Sequence, residues 1–299
     1  MDFREELASR IEEVNEIIDM FLPDVEGYQK LVFEAMNYSV HAGGKRIRPI
    51  FMMESAKLFE SLTSEQNAAL KSFMAAIELI HTYSLVHDDL PAMDNDDFRR
   101  GQYTTHKKYG HAMGILAGDG LLNYAFEVAT SGLIASNDKD RAAEALLILG
   151  TKSGAYGMLG GQVVDVENTG KALSKEQLDF IYEKKTAALI EASFMVGAIL
   201  AGASDDELDR IEMMAKKIGL AFQIQDDILD VTSTTDVLGK PVLSDEKNEK
   251  TTYVTLYGVE KAAEYVREYT REALEILDSF TKKNEFLKEL IISLIDRVK

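Results

Sequence analysis

The chain has 299 residues, with 51 Asp plus Glu against 33 Lys plus Arg, a formal net charge of −18 and 46% hydrophobic residues. That balance argues against a binder of nucleic acid or of an anionic membrane surface, since both need broad positive potential, and it supplies enough apolar material for a sizeable core. There is no Cys, so disulfides, thiolate metal sites and Cys nucleophiles are excluded together, and a reducing compartment fits.

Taken in order, the charged start MDFREELASRIEEV reads as a helix rather than a signal peptide. Leu7, Ile11, Val14, Ile18 and Phe21 continue it at helical spacing. Only four prolines, Pro23, Pro49, Pro91 and Pro241, interrupt the chain. Phe73, Ile77, Ile80, Ser84 and Asp88 form a second stripe, which Pro91 should end just after Asp89. Ser136 to Asp140 and Asn168 to Leu173 read as interhelical loops, and Leu189, Ala192, Met195, Val196 and Ile199 as a further stripe. The longest charge-free stretch, Ala192 to Ser204, has 13 residues, short of the ~20 a membrane span requires, so the expectation is a cytoplasmic protein with no stable membrane insertion. Thr232 to Lys250 is the longest irregular segment and reads as a lid or ligand-binding loop. Thr251 to Thr255 is rich in β-formers but isolated, and a helix there is equally compatible. The pattern is all-α, with ten or so helices in a single domain over residues 1–299.

Two acidic clusters interrupt these apolar patterns. The first is Asp88-Asp89-Leu90-Pro91-Ala92-Met93-Asp94, and the second is Gln223-Ile224-Gln225-Asp226-Asp227-Ile228-Leu229-Asp230. Asp226 and Asp230 are four apart and share one helix face, with Gln223 and Asp227 beside them. A solvated face is the ordinary meaning of a charge run, but Asp88 continues a stripe that should face inward. Like charges ~4 Å apart repel by roughly 4 kcal/mol at an effective dielectric of 20, so such clusters call for cations or protons. Carboxylates without Cys suit a hard ion, and Mg²⁺ binds through one or two carboxylates plus substrate phosphates. An EF-hand is excluded because Phe98 and Arg99 stand where an oxygen ligand and Gly are needed. Basic residues supply the other half: His41-Ala42-Gly43-Gly44-Lys45-Arg46-Ile47-Arg48-Pro49 and Arg99-Arg100 are compact positive segments in an acidic chain. No Walker pattern is present. Acidic platforms with Arg and Lys clamps describe a site for a diphosphate held partly through metal and partly directly.

These residues, in this order, resemble the trans-isoprenyl diphosphate synthases, closest to the bacterial farnesyl type. The family's two Asp-rich motifs match Asp88-Asp89…Asp94 and Asp226-Asp227-Ile228-Leu229-Asp230, and its Gly-Lys-Arg-x-Arg-Pro element matches Gly44 to Pro49. Arg99-Arg100-Gly101, His81, Gly160-Gly161-Gln162 with Asp165, Lys185-Thr186, Phe222-Gln223 and Lys240 match further motifs. The resemblance implies a helical bundle around a deep cavity, with the two Asp motifs facing each other at its mouth, and a homodimer. It implies three Mg²⁺ bridging the allylic diphosphate to Asp88, Asp94 and Asp226, with Asp89, Asp227 and Asp230 as further ligands or a supporting layer. Arg99, Lys185, Thr186, Gln223 and Lys240 match positions that hold the allylic substrate. Lys45, Arg48, His81 and Arg100 match those that hold isopentenyl diphosphate.

The implied chemistry is ionisation, condensation and elimination, in which metal and cationic side chains carry charge off the departing diphosphate and no nucleophile is needed. That agrees with the absence of Cys and of a Ser/His/Asp set. Ser84 and Tyr83 lie roughly 6 to 8 Å before the Asp88 platform at about 1.5 Å rise per residue. In the family, bulky residues here form the floor that stops chain growth, and the farnesyl type pairs an aromatic there with the insertion seen as Pro91-Ala92. A fifteen-carbon product, made from dimethylallyl diphosphate through geranyl diphosphate, is therefore expected. The alternatives are a geranylgeranyl synthase of the same family, a terpene cyclase, which has no need of Lys45, Arg48 and Arg100, and a non-catalytic subunit, which would have lost motif aspartates.

Overall fold

A computed structural model describes residues 2–59, 61–232 and 251–295. The helices read from the spacing are α1 (Phe3–Asp19), α2 (Lys30–His41), α3 (Ile47–Ala56), α4 (Ser64–Asp88), α5 (Thr105–Tyr109), α6 (His111–Ala135) and α7 (Lys139–Ser153). Then follow α8 (Met158–Glu167), α9 (Lys175–Ile181), a π-helical segment (Tyr182–Ala187), α10 (Ala188–Leu200), α11 (Asp205–Thr232), α12 (Tyr253–Tyr257), α13 (Val259–Asp278) and α14 (Glu285–Ile295). Among the described residues the one sheet is a ribbon of two short strands, β1 (Phe98–Arg99) and β2 (Gln102–Tyr103). The fold is all-α, as the spacing indicated. The β-rich piece after Thr251 is helical, started by Thr252, whose hydroxyl accepts from Thr255 N–H.

The chain divides into two compact units, Met1–Met53 with Leu62–Leu146, and Glu54–Ser61 with Leu147–Lys299. In the first unit α4 is the central helix. Thr63 and Gln66 cap its start reciprocally, and Phe73, Ile77 and Ile80 are fully buried. The same stripe opens at Ser84 and Asp88, which are only partly covered, so an apolar helix delivers a carboxylate at its C-terminal end. Helices α4 and α6 pack along their length, with α1, α2 and α5 around them.

In the second unit α10 takes the corresponding part. All 13 of its residues are buried, so the five-residue stripe read from spacing understates it: this helix is enclosed on every side. It packs against α11, which in turn packs against α13. Among the described residues no helix is long and apolar enough to cross a membrane.

Candidate active site

In the first unit, Pro91 stops α4 at the expected place, with Asp89 as the C-cap. The chain then doubles back: Asp94 N–H donates to the Asp88 carbonyl (2.8 Å) and Asn95 N–H to that of Leu90 (3.1 Å). Asp94 thus returns beside Asp88, half-buried Asp88 next to exposed Asp94. Asp89 is buried and faces Arg99, whose Nε and Nη2 donate to both carboxylate oxygens at 2.6–2.9 Å.

Arg99 and Arg100 are consecutive but serve different partners because a tight hairpin lies between them. Phe98 pairs with Tyr103 and Arg99 with Gln102, leaving Arg100 and Gly101 as a two-residue loop, both at positive φ (53° and 77°), the requirement of a type I′ turn. Arg100 therefore leaves the hairpin away from Asp89 and donates to the Gly43 carbonyl. Its guanidinium lies over Gly44, where a Cβ would come within 2.7 Å of Nη1 and push the flexible Arg side chain aside; φ is +141° there, which favours Gly.

Beside it, Arg48 on the first turn of α3 lies 3.4 Å from His81 on α4, Nη1 to Nε2, and its buried Nε has no hydrogen-bond partner. Burial lowers the Arg48 guanidinium, and Arg100 lowers it further, against the pull of Glu78. Burial first, then Arg48, Arg100, Arg99 and Arg46, hold His81 well below the usual imidazole range. His81 is neutral here, and the concentration of positive charge around it suits a polyanion. Lys45 is exposed at the entrance to the same turn.

In the second unit, Asp226, Asp227 and Asp230 occupy the last turns of α11. Asp226 is partly exposed, whereas Asp227 and Asp230 are buried. Asp227 accepts from Tyr182 Oη (2.6 Å), from Tyr253 N–H (3.3 Å) and from Gln223 Nε2 (3.4 Å). Gln223 in turn accepts from Thr186 Oγ1 (2.8 Å). Lys185 pairs with Asp165 of α8 at 2.5 Å. The π segment places Lys185 and Thr186 side by side at one cleft, lined also by Asp165, Gln223, Asp227 and Thr252. An inserted residue of this kind is frequent where a helix must present a ligand.

Lys240, with most of the expected lid, lies outside the described residues. Tyr83 is buried, its ring edge-on to His87 at 5.8 Å, and Ser84 donates to the His81 carbonyl. Spacing did not nominate Tyr182, Tyr253, Arg46 or Glu78, all of which contact nominated residues or flank them. Nor do three His, Asp or Glu side chains converge as a metal cage among the described residues. The oxygen-only donor sets still fit magnesium, which takes one or two carboxylates and fills its remaining positions with phosphate and water.

The family model for polyprenyl synthetase matches residues 29–292. The chain belongs to the polyprenyl synthetase family. It is 38% identical over 296 residues to the farnesyl diphosphate synthase of Micrococcus luteus, covering 99% of each. It is 43% identical over 285 residues to the heterodimeric geranylgeranyl pyrophosphate synthase large subunit 1, chloroplastic, of Arabidopsis thaliana, covering 93% of this chain and 75% of that one. Its backbone matches the crystal structure of geranyltransferase from Helicobacter pylori complexed with magnesium and isoprenyl diphosphate, with a TM-score of 0.84, 31% identity and coverage of 99% and 97%. This polyprenyl synthetase is a prenyltransferase with the isoprenyl synthase fold.

Proposed function

We propose that this prenyltransferase is a farnesyl diphosphate synthase, joining isopentenyl diphosphate first to dimethylallyl diphosphate and then to geranyl diphosphate. The observation that carries the product assignment is Tyr83, buried one turn and a residue before Asp88 with its ring against His87. A rigid aromatic at that depth leaves room for a fifteen-carbon chain and blocks a longer one. The Arabidopsis relative supports a second reading, geranylgeranyl diphosphate, through its higher identity.

Asp88 and Asp94 in the first unit, and Asp226 in the second, are the carboxylates we assign to magnesium, since each retains exposed surface. Asp89 and Asp227, held by Arg99 and by Tyr182, orient their neighbours, and buried Asp230 supports the same helix end. Bound magnesium supplies positive charge to the diphosphate oxygens. Arg99, Lys185 and Lys240 add to that charge as the allylic C–O bond breaks, while Thr186 and Gln223 orient the diphosphate. For Lys185 this means exchanging Asp165 for substrate. Lys45, Arg48, His81 and Arg100 hold isopentenyl diphosphate, whose alkene carbon forms the new C–C bond with the allylic carbon. The proton lost from the adjacent carbon leaves with the released diphosphate. Neutral His81 donates a hydrogen bond without adding charge.

The test is turnover of the purified protein with magnesium, isopentenyl diphosphate and each primer in turn. Diphosphate release with both dimethylallyl and geranyl diphosphate is expected; no release with either overturns the proposal.

A further inference from the structure

Arg46 sits between two residues assigned to isopentenyl diphosphate, Lys45 and Arg48, yet its own side chain turns into the protein and is 5% exposed. Its backbone is left-handed, φ 49°, a conformation that disfavours residues with a Cβ. Three hydrogen bonds hold it there. Nε donates to Asn15 Oδ1 of α1 (2.9 Å), Nη1 to Glu78 Oε1 of α4 (2.7 Å), and Nη2 to the Val40 carbonyl at the end of α2 (2.8 Å). Glu78 is 2% exposed, so the pair is buried. The Arg46 carbonyl then accepts Ile50 N–H (3.1 Å), opening the first turn of α3 from which Arg48 projects. One guanidinium therefore ties three helices to the take-off point of a fourth. Glu78 also stands one turn before His81, to which Arg48 is hydrogen-bonded.

We propose that Arg46 and Glu78 are positioning residues for isopentenyl diphosphate: their buried pair fixes the left-handed turn that aims Lys45 and Arg48 at one diphosphate. Neither touches substrate. A left-handed Arg with every nitrogen engaged is strain sustained by its surroundings, as functional turns commonly show. A buried ion pair whose purpose was stability alone would be replaceable by apolar residues, and would be indifferent to which substrate is bound.

This inference rests on the assignment of Lys45, Arg48, His81 and Arg100 made above, and the experiment separates the two. KM for isopentenyl diphosphate at saturating geranyl diphosphate, KM for geranyl diphosphate, kcat and Tm are measured for wild type, Arg48→Gln, Arg46→Lys and Asn15→Ala. Lys keeps the charge of Arg46 but cannot span its acceptors; Asn15→Ala removes one acceptor from a helix remote from the substrate and keeps the fold if Arg46→Lys does not. The expected result is a rise in KM for isopentenyl diphosphate of about tenfold or more in Arg46→Lys and about threefold in Asn15→Ala, with kcat and the KM for geranyl diphosphate within about twofold. Unchanged KM for isopentenyl diphosphate in the folded variants, or equal rises for both substrates in step with lost Tm, overturns the positioning role. If Arg48→Gln also leaves that KM unchanged, the site assignment itself fails.

Discussion

Tyr83 is 8% exposed, with its ring edge-on to that of His87, and it carries the proposed limit on chain growth. Tyr83→Ala removes the ring and is expected to shift the main product from fifteen to twenty or more carbons, read by mass spectrometry; an unchanged distribution would remove Tyr83 from the floor. His81 gives a prediction of a different kind. Its folded-state affinity for a proton is depressed by burial and neighbouring guanidinium groups, while the unfolded chain takes up a proton near pH 6.5. Stability from this group is therefore complete above about pH 6.5 and is lost as pH falls below it, because the unfolded state then binds the proton that the folded state refuses. His81→Gln should make the loss of unfolding free energy between pH 7.5 and 5.5 smaller by about 1 kcal/mol in denaturant titrations; an identical loss in both proteins contradicts the neutral assignment. Asp88, Asp226, Lys45 and Arg48 were legible because their motifs are consecutive in sequence. Arg46 and Glu78 were not: their contact spans 32 residues, and a second Arg in a basic run carries no sign that it points inward.

At the scale of elements, the π segment is held by close approach. A Cβ on Gly161 of α8 would overlap the backbone at Lys184 and Lys185, and one on Gly219 of α11 would overlap Ala187. These two glycines let α8 and α11 approach the turn that presents Lys185 and Thr186. Gly219→Val is expected to cost about 1–3 kcal/mol by overpacking and to raise KM for geranyl diphosphate more than KM for isopentenyl diphosphate. Equal effects on both would separate the π segment from allylic binding. The interhelical loops and the stop at Pro91 were readable because Pro and turn residues act locally. The hairpin was not, since strands of two residues are too short to show alternation, and the π segment was not, since one inserted residue leaves the apolar spacing of its helix almost unchanged.

Across the whole chain, a net charge of −18 coexists with affinity for anionic substrates because the cations are placed locally. Arg48, Arg99 and Arg100 meet around His81 in the first unit, and the remaining acidity lies largely on exposed surface. Exposed Ile115, Leu116 and Ile134 on α6 support the homodimer that the resemblance implies. Light scattering should give a mass of twice 33.3 kDa, and a monomer at micromolar concentration would contradict it. The split between farnesyl and geranylgeranyl relatives leaves product length as the central claim. The most direct measurement is the carbon number of the product that the wild-type protein makes from dimethylallyl diphosphate and excess isopentenyl diphosphate with magnesium. Fifteen carbons as the dominant product is the prediction; twenty carbons as the dominant product would contradict it.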